Sequence, residues 1–305
     1  MKRRRAVIAG GGTGGHFYPA LVLAQTLQKR GWEPLIAVRK GDPALPLLEK
    51  ESIPSAELDL RGMPRSGSPL ELLRAGAAFG LKLASGLDRA RRLLRDFEPA
   101  VAVGMGGYLS FPVTAAAAVR GIPRAVHESN AVLGLANRAC VSLGSRLFWG
   151  LPSREGTPGT LTGTPIRPAL WTGLDPARAR RELELSPDRA TLLVFGGSQG
   201  AKGINQAVPR ACARLCVKNP DAFQVLHLAG PRDAATVRAA YGRGPARVLE
   251  YLERMELAYG AADLVVCRAG ASTLAELAAL KKPAILVPYP FAAALHLGQA
   301  EHLAR

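Results

Sequence analysis

The chain is short of the residues that staple a fold or bind a metal. Its four cysteines, Cys140, Cys212, Cys216 and Cys267, form no CxxC pair and stand beside no histidines at zinc-ligand spacing. A disulfide framework and a zinc module are therefore excluded, and the thiols read as reduced and buried, as in a cytoplasmic protein. Aromatic residues are scarce, at 6%, and are not interleaved with a basic patch, which argues against a nucleic-acid binder. Acidic residues are also few: 24 against 40 lysines and arginines, a net charge of +16. Such an excess points to an anionic partner, whether a phosphorylated substrate, an acidic membrane surface or a nucleic acid. Long apolar runs are missing too. The start, MKRRRAVIAGGG, has a basic tip but too short an apolar run for a signal peptide. Pro99 to Val119 carries no charge, yet Gly104, Gly106, Gly107 and Pro112 break it. It reads as a strand, a glycine loop and a buried alanine helix rather than a membrane span.

What is present is an alternation. With 48% apolar and 21% charged residues the chain is globular, and its 305 residues suggest two domains of about 150. Lys2 to Ala9 reads as a strand, Tyr18 to Arg30 as a helix ending at Gly31, and EPLIAVR and SAELDLR as further strands. One long helix follows Ser68, an N-cap with Pro69 at the first helical position and Glu71 completing a capping box. AVAVG, a helix to Val119 and PRAVHES continue the pattern. It restarts at ATLLVFGGSQGAKGIN, with FQVLHLAG, ARVLEYL, ADLVVCRAGA and PAILVPYP as later strands. Strands alternating with helices imply parallel sheets covered on both faces. The reading is α/β, with two Rossmann-like doubly wound domains at 1–163 and 164–305. Glycine and proline in TLTGTPIRP mark the junction, and a cleft is expected between the domains.

Three segments carry the chemistry. AGGGTGGHFYP, at 9–19, fits G-x-G-x-x-G through Gly10, Gly12 and Gly15. A bare turn between strand and helix lets backbone N–H groups approach a phosphate. Arg39 and Lys40 stand where an NAD site needs an acidic residue, so only an NADP reading survives on the dinucleotide side. That oxidoreductase alternative leaves the second loop, GGSQGAKG with Ser198, without a task. His16, directly after the glycines, falls on the first turn of a helix, where an imidazole can take a proton from an attacking hydroxyl. In CRAGASTLAE, Ala271, Ser272 and Thr273 open a helix whose amides suit phosphate or sugar oxygens. Glu276 follows within the first turns, and a carboxylate there can accept two hydrogen bonds from a ribose diol.

Taken together, GGTGGHFYPAL, GMGGYLSFP, HESNAVLGLANR, GTPIRP, FGGSQGAKGIN and CRAGASTLAE resemble the MurG-type N-acetylglucosaminyltransferases of bacterial cell-wall synthesis, in glycosyltransferase family 28. The resemblance runs from the start to about residue 300, in the family's order. It implies a GT-B fold with an N-terminal acceptor domain and a C-terminal donor domain. It also implies transfer of GlcNAc from UDP-GlcNAc to the muramoyl 4-hydroxyl of lipid I, with inversion and without a cofactor. The family's donor contacts would fall on Thr13, Gly14, Gly15, Asn130, Arg167, Ser198, Gln199 and Leu252. Ala271, Ser272, Thr273, Leu274, Glu276 and Gln299 complete the set, and Arg268 is an available cation nearby in the motif order. Glu276 would hold the ribose and Leu252 would frame the uracil. His16 is the favoured base, with Asn130 orienting acceptor or donor. No Asp-x-Asp pair occurs, so no metal is expected and the leaving diphosphate would be met by amides and cations.

Two departures accompany the resemblance. LGQAEHLAR keeps Gln299 but has Gly298 and His302 where the family has other residues, and the run to Arg305 stops short of the family's C-terminal helices. A lipid acceptor further implies contact with a bilayer. In the long helix Leu72, Phe79, Leu83, Leu87 and Leu94 suit a core face. Leu70, Leu73, Ala77, Leu81 and Ala84, flanked by Arg74, Lys82, Arg89 and Arg92, suit an anionic membrane surface. The expectation is a peripheral protein on the cytoplasmic side of the plasma (inner) membrane. Another GT-B transferase with a different lipid acceptor is the nearest alternative.

Overall fold

The computed structural model describes residues 4–11, 14–60, 69–172, 175–216 and 222–289, with backbone alone at 69–82, 171–172 and 216. It divides into two compact units, Met1–Ile166 and Arg167–Arg305.

The first unit begins with β1 (Arg5–Ala9), α1 (Gly14–Lys29), β2 (Glu33–Arg39), α2 (Leu45–Lys50), β3 (Ser55–Leu58) and α3 (Pro69–Phe97). It continues with β4 (Val101–Gly104), α4 (Ser110–Val119), β5 (Arg124–Glu128), α5 (Leu135–Ser142), β6 (Arg146–Trp149) and β7 (Thr160–Leu161). The strands form one parallel sheet in the order β3-β2-β1-β4-β5-β6-β7. Successive residues of β1 serve opposite faces. Val7 and Ala9 pack with Leu94 of α3 and Val113 and Ala116 of α4; Ile8 packs with Phe17 and Leu21 of α1 and Leu48 of α2. Burial on both faces is why the strand reads as an unbroken apolar run. The alanines of α4 let it lie close on the sheet: a Cβ on Gly104 would fall 2.6 Å from that of Ser110. The charge-free stretch 99–119 is thus a strand, a loop and a short helix. Among the described residues no helix is long and apolar enough to cross a membrane.

The second unit opens with a 3-10 turn at Pro168–Thr172 and α6 (Pro176–Glu182), then β8 (Thr191–Phe195), α7 (Lys202–Cys216), β9 (Gln224–Leu228) and α8 (Ala234–Tyr241). β10 (Ala246–Leu249), α9 (Met255–Ala261), β11 (Leu264–Arg268), α10 (Ala271–Leu280) and β12 (Ala284–Val287) follow. Its parallel sheet runs β10-β9-β8-β11-β12. Counted within the unit, that is the same 3-2-1-4-5 order as the first five strands of the other unit. In each, chain direction across the sheet reverses between the first and fourth strands, the place where α/β sheets bind ligands. All four glycine or small-residue turns leave those strands: β1 and β4 in the first unit, β8 and β11 in the second.

Three local expectations change. α1 starts at Gly14, not Tyr18, and Pro19 lies inside it. Pro19 withdraws one amide from the helical ladder near its start, a loss the helix absorbs, and His16 lies in the first turn, as its place after the glycines implied. α7 starts at Lys202, so Ser198 sits in a turn ahead of the helix rather than at its start. Gly197 and Gly200, with φ of 98° and 73°, fold that turn before helix geometry can begin. Short elements such as α5 and β6 were not separately expected. Ser68, and the side chains of Leu70, Leu72, Leu73, Arg74, Ala77, Phe79, Leu81 and Lys82, lie outside the described residues; Leu83 and Leu87 are half-buried, Ala84 exposed and Leu94 fully buried. Cys140, Cys212 and Cys267 are buried thiols outside any disulfide.

Behind the β8 turn lies a buried polar chain. His227 Nε2 donates to Asn205 Oδ1 at 3.0 Å, and its Nδ1 accepts from the Tyr241 hydroxyl at 3.0 Å. Asn205 Nδ2 in turn donates to the Ala229 carbonyl, 2.8 Å away, and to Asp233 Oδ2 at 2.9 Å. Burial lowers the His227 pKa to about 4, so the ring stays neutral. The chain pins Ala229–Gly230 under the turn, where a Cβ on Gly200 would sit 2.0 Å from the Ala229 carbonyl oxygen. Gly200→Ala is expected to cost about 2–4 kcal/mol of stability, read as a lowered urea midpoint.

Candidate active site

In the first unit the two turns meet at the His16 side chain. Gly106 and Gly107, both at positive φ, lay bare backbone against the imidazole. A Cβ on Gly106 would fall 3.0 Å from His16 Cδ2 and 3.1 Å from Nε2; one on Gly107 would fall 3.3 Å from Nδ1. Side chains at either position would evict the ring. Ser110 Oγ donates to the Gly106 carbonyl at 2.9 Å, and Met105 N donates to Ala9 O at 2.8 Å, so the loop is fastened to helix and sheet alike. Burial lowers the His16 pKa from its ordinary 6.5; nearby Glu128 opposes the shift and His127 adds to it.

The segment after β5 is organised by Glu128, a buried carboxylate. Its Oε1 accepts from Asn130 N (3.1 Å) and Asn130 Nδ2 (2.8 Å). Its Oε2 accepts from Gly134 N (3.0 Å) and Asn137 Nδ2 (2.9 Å). Four donors on one anion fix the loop and aim the half-buried Asn130. His127 is also committed: Nε2 donates to the Gly163 carbonyl at 3.0 Å while Nδ1 faces the Ser129 hydroxyl at 3.4 Å. Glu128 and His127 are thus held by these partners, and His16 lies close enough for both to act on its titration.

In the second unit the structure brings Arg167, Glu276 and the Leu252 segment together. Arg167 Nη2 lies 3.4 Å from Glu276 Oε1, and its Nη1 donates to the Glu253 carbonyl at 3.2 Å. Tyr259 donates its hydroxyl hydrogen to Glu276 Oε2 at 2.8 Å. Burial raises the Glu276 pKa, while Arg167 and the Tyr259 hydrogen bond pull it back. The result is a carboxylate held at both oxygens beside half-buried Leu252. α10 begins with Gly270 at the N-cap and no side-chain cap, so the positive end of its dipole is not met by an N-cap side chain. Ser272 and Thr273 are half-buried there; Ala271 and Leu274 are buried, and the Leu274 amide donates to the Gly270 carbonyl at 2.9 Å, so Leu274 anchors the helix start and turns neither side chain nor amide to a ligand.

Ser198 and Gln199 occupy the exposed turn after β8. Arg268 Nη1 donates to the carbonyls of Val287 (3.2 Å) and Pro288 (2.8 Å), and its Nη2 lies 3.9 Å from where a Cβ on Gly203 would be. The cation thus stands beside the first turn of α7. Gly14 and Gly15 are exposed at the start of α1. Thr13, Gly298, Gln299 and His302 lie outside the described residues. Three participants, Glu128, Asn137 and Tyr259, carried no role in the sequence reading. The only sequence signal for them was membership of HESNAVLGLANR or of the α9 segment.

Two parallel α/β units, each with bare turns at the strand ends beside its reversal point, are the domains of the GT-B architecture. The comparisons agree. The glycosyltransferase family 28 N-terminal domain matches residues 6–147 and the family 28 C-terminal domain matches 191–302. A protein of Elusimicrobium minutum, named UDP-N-acetylglucosamine–N-acetylmuramyl-(pentapeptide) pyrophosphoryl-undecaprenol N-acetylglucosamine transferase, is 40% identical over 96% of this chain and 80% of its own length. One from a Nocardioides species with the same name is 42% identical over 94% of this chain and 78% of its own. The crystal structure of Acinetobacter baumannii MurG superposes with a TM-score of 0.75 at 27% identity, covering 99% of this chain and 83% of that one. The chain belongs to glycosyltransferase family 28 and is a UDP-sugar-dependent glycosyltransferase.

The His16 seat yields a direct test. Gly106→Ala is expected to cost about 1–3 kcal/mol and to move the His16 titration upward, toward the ordinary imidazole value, as the ring loses its burial. Histidine-resolved NMR titration reads the shift.

Proposed function

We propose that the enzyme transfers GlcNAc from UDP-GlcNAc to the 4-hydroxyl of the muramoyl sugar of lipid I, forming lipid II for peptidoglycan synthesis with inversion at the anomeric carbon. The observation that carries the reading is the 40–42% identity, along both domains, to relatives named for this transfer. The acceptor-side segment HESN and the donor-side segment CRAGAST are both intact, and the geometry around each gives the reading its chemistry.

His16 is the general base. Its lowered pKa keeps the imidazole neutral near pH 7, able to accept the acceptor hydroxyl's proton as that oxygen attacks the anomeric carbon. Asn130, held by Glu128, orients a sugar hydroxyl. On the donor side Leu252 frames the uracil and Glu276 accepts from the ribose diol. As the glycosidic bond to UDP breaks, charge grows on the diphosphate. The amides of Ala271, Ser272 and Thr273, the Ser198 turn with Gln199, and the Arg167 and Arg268 guanidiniums stabilise it, while Gly14 and Gly15 count as donor contacts by family resemblance. Thr13 and Gln299 belong to the same donor set by family resemblance. Each group contributes through electrostatics or hydrogen bonding, so the scheme uses no metal.

His16→Ala is expected to lower kcat about 10²–10⁴-fold with the UDP-GlcNAc KM little changed. In the parent enzyme, kcat/KM should hold as pH falls past the ordinary imidazole pKa of 6.5 and drop only lower, because the base must be neutral and its pKa is depressed. Steady-state turnover with a soluble lipid I analogue checks both, and unchanged turnover in excess chelator checks the absence of a metal.

The lipid acceptor and the net charge of +16 support a peripheral site on the cytoplasmic leaflet of the plasma (inner) membrane, with the long helix α3 as the contact. Arg89 and Arg92 are exposed on its described part. Sedimentation with anionic vesicles is expected to carry the protein down in low salt, and neutral vesicles to leave it in solution.

A further inference from the structure

Glu276 is a half-buried carboxylate paired, among the described residues, with Arg167, and its usefulness to a ribose depends on where its oxygens point. Arg167 reaches Oε1 from outside the helix. Oε2 is met from α9 by a residue that no motif singled out. Tyr259 is 1% exposed, and its ring packs edge-to-face on Phe195, with centroids 6.1 Å apart and planes at 82°. Phe195 is the last residue of β8, immediately before the GGSQG turn. The tyrosine ring is therefore locked by the strand that carries one proposed phosphate turn, while its hydroxyl, 2.8 Å from Oε2, fixes the carboxylate of the helix that carries the other.

We infer that Tyr259 is a positioning residue for the donor: its O–H holds Glu276 Oε2 so that both carboxylate oxygens keep a lone pair directed at the ribose diol. The inference rests on the reading of Glu276 as the ribose contact. Tyr259 does not itself touch the nucleotide. A phenol is suited to the task because it donates a single hydrogen bond, adds no charge, and stays protonated: burial and the neighbouring carboxylate raise its own pKa well above the ordinary value. A second cation at this place would neutralise the carboxylate more strongly and compete with the ribose hydroxyls for its lone pairs.

The test is Tyr259→Phe, which removes one oxygen and keeps the ring on Phe195, with Glu276→Gln alongside. Calorimetry with UDP and with 2′,3′-dideoxy-UDP separates the ribose diol from the rest of the ligand. Tyr259→Phe is expected to weaken UDP about tenfold and to leave dideoxy-UDP affinity unchanged. An equal loss for both ligands would mean general damage to the unit and would overturn the inference, as would no loss for either. If the parent protein binds the two ligands equally, or if Glu276→Gln keeps the preference for UDP, the ribose reading of Glu276 fails and takes the inference with it. A pH series supplies a readout that packing alone would not move. Because the Tyr259 hydrogen bond lowers the Glu276 pKa, its loss should shift the acid limb of UDP-GlcNAc affinity to higher pH, with kcat at saturating donor little changed. An acid limb that stays in place, in a variant melting as the parent does, would refute the role.

Discussion

The architecture turns on backbone approaching where no Cβ can stand. At the His16 seat, Gly106 and Gly107 touch an imidazole; under the β8 turn, Gly200 meets the Ala229 carbonyl. Both contacts lie beside the reversal point of a sheet, where neighbouring crossover helices leave in opposite directions and a gap opens at the strand ends. A side chain at these positions would fill the gap. Bare backbone instead leaves it to a ligand, and supplies amides that cost no rotamer entropy to aim.

The two units use the same sheet order for different ends. In the first, the polar investment is in side chains: an imidazole pressed on glycines and an anion, Glu128, with four donors around it. In the second it is in a helix terminus and a carboxylate shared by Arg167 and Tyr259. That contrast suits proton removal in one unit and the gripping of a charged nucleotide in the other. Similar topology thus says little about role; the residues at the strand ends decide it.

Much of this was readable in one dimension. Strands buried on both faces announce themselves as apolar runs, and the bare turns as glycine clusters, so the α/β alternation and the location of the loops followed directly. The resemblance added the donor residues. What stayed hidden was long-range pairing. His16 and Gly106 are far apart in the chain, and nothing about either residue names the other. Tyr259 and Glu276 are separated by a strand, and the phenol looks like ordinary core until its hydroxyl is seen 2.8 Å from an acid. Glu128 stood in a recognised motif, but only the folded loop shows four donors converging on it. The start of α1 was misplaced because proline is commonest at a helix's first position, whereas Pro19 lies inside. Ser198 was expected at a helix start, but Gly197 and Gly200 fold a turn that keeps it ahead of α7.

The neutral His227 sets an acid limit on the protein's working life that is separate from its chemistry. An imidazole held near 4 when folded and near 6.5 when unfolded favours the folded state fully only above the higher value. As the medium sours from there toward the lower value, the unfolded chain gains a proton that the native one refuses, and the support beneath the β8 turn weakens. The same reasoning reaches the other unit, where burial also holds His16 and His127 below the ordinary imidazole value, so souring loosens the supports of both units.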